Sequence, residues 1–229
     1  MFKRKLTIPD FFLILVNLIP LIGVWFNEWN AKQIFLVYCM ETVIIGLINV
    51  IKMAIVTLFV KKKDVWENGG GSSLQSGWLF IFFFIFHYGF FVFVQTQVFF
   101  AVSNTIPDGA FFMKYSKIPE LLGPNGMILL LIFIAYYTMQ NVFGFFSSGT
   151  YKTISMGRLM FEPYIRIFVQ QIVVIIGSIF LSFGAGKVFV AIFVVTKIFF
   201  ELIINYNRIL AIAEKKERLK RELEEKKTN

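Results

Sequence analysis

Residues 78–102 read WLFIFFFIFHYGFFVFVQTQVFFAV, a run without a single Asp, Glu, Lys or Arg. As a helix it would rise about 37 Å, more than the roughly 30 Å of a bilayer's hydrocarbon core. Five other apolar runs flank it, over about residues 11–26, 33–60, 127–146, 165–183 and 188–212. With 57% hydrophobic and 18% aromatic residues, 30 of them Phe, the 229-residue chain leaves no stretch for a separate soluble catalytic domain. The expected fold is an all-α integral membrane protein of six transmembrane helices, residues 1–212, followed by a charged helical tail, residues 213–229. The first run is short and interrupted by Pro20, but Pro9 and Asp10 make a helix start. Lys3, Arg4 and Lys5 before it resemble a signal peptide; no small-x-small cleavage site follows, so it reads as a retained helix.

Six spans put both termini on one side. Lys3, Arg4, Lys5, Lys61, Lys62, Lys63, Lys152, Arg158 and the basic tail fall on that side, against Lys32, Lys114, Lys117 and Lys187 on the other, so the positive-inside rule makes both termini cytoplasmic. This placement also accounts for the net charge of +9 without nucleic acid as a partner. Asn68 to Gly77, with three consecutive glycines, reads as a flexible linker and lacks the Lys-Ser/Thr of a phosphate loop. Phe111, Tyr115, Ile118 and Leu122 recur at helical spacing, as an interfacial helix or a lid on the bundle, with Pro119 kinking or ending it. In the tail, Glu214 with Arg218, Glu217 with Arg221 and Glu222 with Lys226 are one turn apart and support a solvated helix.

Ionisable residues at membrane depth cost at least ~2.5 to 3.5 kcal/mol, and therefore face the bundle interior and pair. In the second run Glu41, Asn49 and Lys52 stand out. Glu41 and Lys52 point within about 20° of each other but are separated by roughly 16 Å of helix, so each needs a partner elsewhere unless Lys52 snorkels to the surface. In the sixth, Lys197, Glu201, Asn205 and Arg208 form one polar stripe, and Lys197 can pair with Glu201. His87 is the only histidine and Cys39 the only cysteine, so neither a metal site, a disulfide nor a cofactor is expected. Gln95 lies near the side of His87, Tyr137 and Asn141 are one turn apart, and Arg166 and Gln170 share a face. Under the six-span topology His87, Tyr137, Asn141, Arg166, Gln170, Lys197, Glu201 and Asn205 fall between the membrane middle and the cytoplasmic half, with Glu41 alone toward the outside. A polar cavity opening to the cytoplasm follows. No H-E-x-x-H or G-x-G-x-x-G signature is present, and Ser147-Ser148-Gly149 reads as a helix cap or turn rather than a nucleophile, so enzyme activity is not expected.

Asn17, Pro20 and Gly23, then Tyr38, Glu41, Gly46 and Asn49, then His87-Tyr88-Gly89, Pro163, Tyr164 and Arg166, and Lys197 with Glu201, together resemble an uncharacterised family of bacterial multi-pass membrane proteins. The resemblance implies a bacterial or archaeal inner (cytoplasmic) membrane and supplies no activity. It also implies histidines where this chain has Gln95 and Gln171, so a metal or proton relay built on them does not carry over. Two functions are open. The first is a channel or transporter-like protein for protons, ions or a small polar solute, its route lined by the polar cluster. The second is a structural or regulatory membrane subunit in which the same residues join helices. The expected partners are the lipid bilayer and a second copy or another membrane protein.

Overall fold

The computed structural model describes residues 8–68, 71–103 and 115–203. It is mostly helical: α1 (Ile8–Phe26), α2 (Ala31–Phe59), α3 (Gly77–Ser103), α4 (Ile118–Tyr137), a π-helical turn (Thr138–Phe143), α5 (Gly144–Ser147), α6 (Met156–Phe161), α7 (Tyr164–Ser182) and α8 (Gly186–Ile203). Among the described residues, three helices are long and apolar enough to cross a membrane: α2, α3 and the continuous stretch Ile118–Ser147. The outer face of α3 suits hydrocarbon, because Phe82, Phe86 and Phe90, spaced at four-residue intervals, are all largely exposed. The tail, Asn205, Arg208, Lys114, and Lys3 to Lys5 lie outside the described residues.

The architecture is best followed along α2, which packs against α3, α4, α6, α7 and α8. Asn30 caps its start by accepting the Lys32 amide at 2.9 Å, which satisfies one of the helix's orphan N–H groups. Phe35, one turn in, meets Phe99 near the end of α3 and Phe189 near the start of α8, both edge to face. Further along, Tyr88 of α3 fits the notch at Gly46, where a Cβ would stand 2.6 Å from its ring. Near the other end Thr57 lies against Gly77, the first residue of α3, and Met156 of α6. α2 and α3 therefore run antiparallel, while α4 and α8 begin beside the start of α2: Gly123 contacts Gln33, and Gly186 contacts Ala31. Two apolar clusters fill the interior. One includes residues 34–39 and Ile48 of α2 and the other Met53 and Val56, and the polar residues Glu41, Thr42, Asn49 and Lys52 are buried along the same helix.

Two expectations need correction. The chain is not wholly α-helical: β1 (Lys63–Asn68) and β2 (Gly71–Ser76) form an antiparallel hairpin in the register Lys63↔Ser76 to Asn68↔Gly71. Most of the expected linker is therefore strand. Its signal in the sequence is Gly69-Gly70 between two short runs, a pair favoured in two-residue hairpin connections because glycine tolerates positive φ. Packing pins the hairpin down. Trp66 lies on Phe80 and Phe83, and the Asp64 carboxylate accepts the Met156 amide at 2.6 Å and pairs with Lys61 at 2.7 Å. Burial alone would raise the Asp64 pKa, but Lys61 and the Met156 and Val65 amides outweigh it and hold it below the ordinary carboxylate value. Second, α4 begins nine residues before the expected 127. Pro119 starts it instead of ending it, Gly123 breaks it at φ 60°, and Leu122 is buried, so this stretch packs on the bundle. Phe111 lies outside the described residues.

Candidate functional site

Glu41 of α2 is fully buried beside the first apolar cluster, to which Tyr137 belongs. One carboxylate oxygen, Oε1, accepts from the Lys197 ammonium of α8 and from the Tyr137 hydroxyl at the end of α4. The other, Oε2, is buried without a hydrogen-bond partner. Lys197 Nζ also lies over two ring faces, 5.1 Å from the Tyr38 centroid and 4.8 Å from that of Phe133. Attraction to a π face adds to the carboxylate's hold on the ammonium. The periodicity of α8 explains how a lysine comes to this depth. Phe189, Phe193 and Lys197 occupy i, i+4 and i+8, and both rings are buried against α2, with Phe193 stacked on Tyr38 at 3.9 Å. Gln170 of α7 fixes the same turn of α2 by donating to the Tyr38 carbonyl.

Immediately after Tyr137 the helix widens into the π turn, and Asn141 donates to the Tyr137 carbonyl at 3.0 Å. Such turns insert a residue into the hydrogen-bond ladder and often occur at functional sites. Beside it a partly open cleft of about 20 Å³ is lined by Ile45, Ile48, Asn49 and Lys52 of α2, Asn141, and Glu162, Pro163 and Arg166 around the start of α7. Lys52 pairs with Glu162 at 2.9 Å and lies over the Phe145 ring, while Asn49 donates to the Leu159 carbonyl at 3.0 Å. Arg166 links cleft and carboxylate site: it lines the former and lies 5.9 Å from the Tyr137 ring. Ile45, also in the cleft wall, is one turn from Glu41, or about 6 Å along the axis.

The structure thus brings Glu41, Tyr137 and Lys197 into contact and sets Asn49, Asn141 and Arg166 around the adjoining cleft. One detail differs from the sequence reading: Glu41 stands level with Tyr137 and Lys197 instead of alone toward the outside. Lys197 is joined to Glu41, 156 residues away. The side chain of Glu201 and the whole of Asn205 lie outside the described positions. His87 is not bonded to this group. It is exposed on α3, its Nδ1 2.9 Å from the Tyr164 hydroxyl and its ring against Phe83 and Phe91. Gln95 accepts from Thr42 at 3.3 Å and from Gln171 at 3.4 Å, bracing α2, α3 and α7. Sequence reasoning did not assign Phe133 or Glu162 to the site. Phe133 is one more aromatic residue in an apolar run, and Glu162 lies outside every run. Among the described residues no three His, Cys, Asp or Glu side chains cluster as metal ligands would. No curated protein and no solved structure matches the chain. A family model described as a family of unknown function (DUF6498) matches residues 1–226.

Proposed function

This chain belongs to that family of unknown function, DUF6498, and from that premise we propose that it is a channel or transporter-like membrane protein moving protons, ions or a small polar solute past Glu41. The observation that carries this reading is the buried Glu41, joined to Lys197 and Tyr137, one helical turn from a cleft lined by Asn49, Asn141 and Arg166. Charges buried this deeply are costly, and intramembrane ionisable residues commonly mark ion and proton pathways. Purified protein in proteoliposomes should pass protons, ions or a labelled polar solute, and Glu41→Gln should abolish the flux while the protein still reconstitutes. Silent vesicles together with a recovered membrane partner would favour a structural or regulatory subunit, in which the polar contacts only join helices.

The proposal includes six spans, with α1, α7 and α8 crossing beside the three longer helices, both termini cytoplasmic, in the inner membrane of a bacterium or archaeon. The clustering of Lys61, Lys62, Lys63, Lys152 and Arg158 on one side supports this orientation. A reporter active only in the cytoplasm should work when fused after Lys62, Tyr151 or Asn229 and fail after Lys114. Activity after Lys114 would remove the six-span arrangement.

A further inference from the structure

Glu41 offers two carboxylate oxygens in different circumstances. Oε1 is shared by Lys197 and Tyr137, whereas Oε2 is buried in a residue with no exposed surface and has no hydrogen-bond partner. Buried acceptors are nearly always satisfied, and each exception calls for an explanation. A partner that comes and goes is one. A metal ion would need several oxygen or nitrogen ligands, yet Glu41 belongs to no cluster of three His, Cys, Asp or Glu among the described residues. An organic cation would not fit a cleft of about 20 Å³. A proton needs neither a cage of ligands nor a wide passage. The cleft, at about 20 Å³, is large enough for a water molecule, and Ile45 in its wall is one turn from Glu41.

We infer that the species handled at this site is the proton, that it binds Oε2 of Glu41 from the cleft side, and that Lys197 is the fixed counter-charge it competes with. This deepens the transport reading and rests on it, by naming what is carried. A hydronium ion in the cleft gives up its proton, an O–H bond forms at Oε2, and water remains behind. The carboxyl is then neutral and its attraction for the Lys197 ammonium falls to that of a dipole. Release of the proton restores the pair. Among the described residues, the ionisable groups around Glu41 are Lys197 on α8, Tyr137 on α4, Tyr88 on α3, whose hydroxyl donates to the Thr42 carbonyl at 2.9 Å, Tyr38 and Cys39 on α2, and Arg166 on α7 beyond the Tyr137 ring. Lys197 and Arg166 are the cations among them, and Lys197 is the one in contact with the carboxylate.

The experiment is a pair of measurements on the full-length protein. Infrared difference spectra should show one protonated-carboxyl band that is absent in Glu41→Gln and moves to higher frequency in Lys197→Met, which removes a donor to Oε1. If Lys197→Met does not fold, Tyr137→Phe, which removes one hydrogen bond to Oε1, should likewise raise the frequency of the band. Vesicles holding a pH-sensitive dye should acidify at the same rate when sodium and potassium are replaced by choline, and Glu41→Asp should retain flux that Glu41→Gln loses. A band that survives Glu41→Gln, or does not move in the variants, overturns the inference. Vesicles that carry another ion or solute without proton movement overturn it as well, while the transport reading stands. A band that behaves as expected in vesicles that stay silent upholds proton binding and removes the transport reading.

Discussion

Lys197→Met and Glu41→Gln should each destabilise the protein by about 3 to 5 kcal/mol, because each leaves the other charge buried without its partner. Glu41 is fully buried and the Lys197 side chain nearly so. Solvent therefore screens the pair little, and the usual small value of a surface ion pair does not apply. Glu41→Gln is a narrow change, since the amide oxygen still accepts the Tyr137 hydroxyl and mainly the charge is lost. The double variant removes both charges and should recover much of the loss, for a buried pair replaced by neutral groups of similar size is often close to neutral overall. Thermal unfolding in detergent, with expression yield beside it, measures all four proteins. The interaction energy left in that cycle isolates the pair from each residue's other contacts. Flux then separates the roles: a double variant that is stable but silent means the charges act on the permeating species. Two harmless single changes would show that Lys197 and Glu41 are not joined in the protein as it stands in a bilayer.

Gly177→Ala should cost about 1 to 3 kcal/mol, the usual range for overpacking a filled interior. A Cβ on Gly177 would lie 2.0 Å from two ring atoms of Phe189, too close for any relaxed contact. The ring cannot easily yield. Phe189 is fully buried and held edge to face by Phe35 at 5.1 Å and Phe193 at 5.8 Å. The remaining relief is for α8 to back away from α7, and α8 carries Lys197 two turns beyond Phe189. One added methyl should therefore lower stability and weaken the Glu41–Lys197 contact together. Phe189→Leu as a second change makes room and should return part of both losses. An unaltered unfolding temperature for Gly177→Ala would mean that α7 and α8 do not pack through this glycine.

The two sites differ in how far they could be read from the chain alone. That Glu41 and Lys52 needed partners on other segments followed from their burial in an apolar run and the roughly 16 Å between them. Which partners they have did not follow. Lys52 is matched by Glu162 just ahead of Pro163, in a connection whose composition looks like any polar turn. The hairpin shows the opposite failure, since the Gly69-Gly70 pair that signals a two-residue connection belongs to the three consecutive glycines that drew the reading to a linker.

By itself the sequence determined that the chain is mostly helical, that long apolar helices occupy the stretches around residues 33–60, 78–102 and 127–146, and that charged and amide side chains sit within them at positions where isolation is costly. These are local properties: hydropathy over some 20 residues and the 3.6-residue period of a helix suffice to state them. Only the tertiary structure decided that α2 is the central helix, that Glu41 meets Tyr137 and Lys197, that Phe133 and Tyr38 flank the ammonium, and that His87 turns to Tyr164 on an exposed face. The reason is physical. A buried charge requires an opposite charge or a hydrogen bond but does not specify which one, and several helices carry candidates. The choice is made by close packing, where Gly46 admits Tyr88 and Gly177 admits Phe189, and these approaches set which helix faces which.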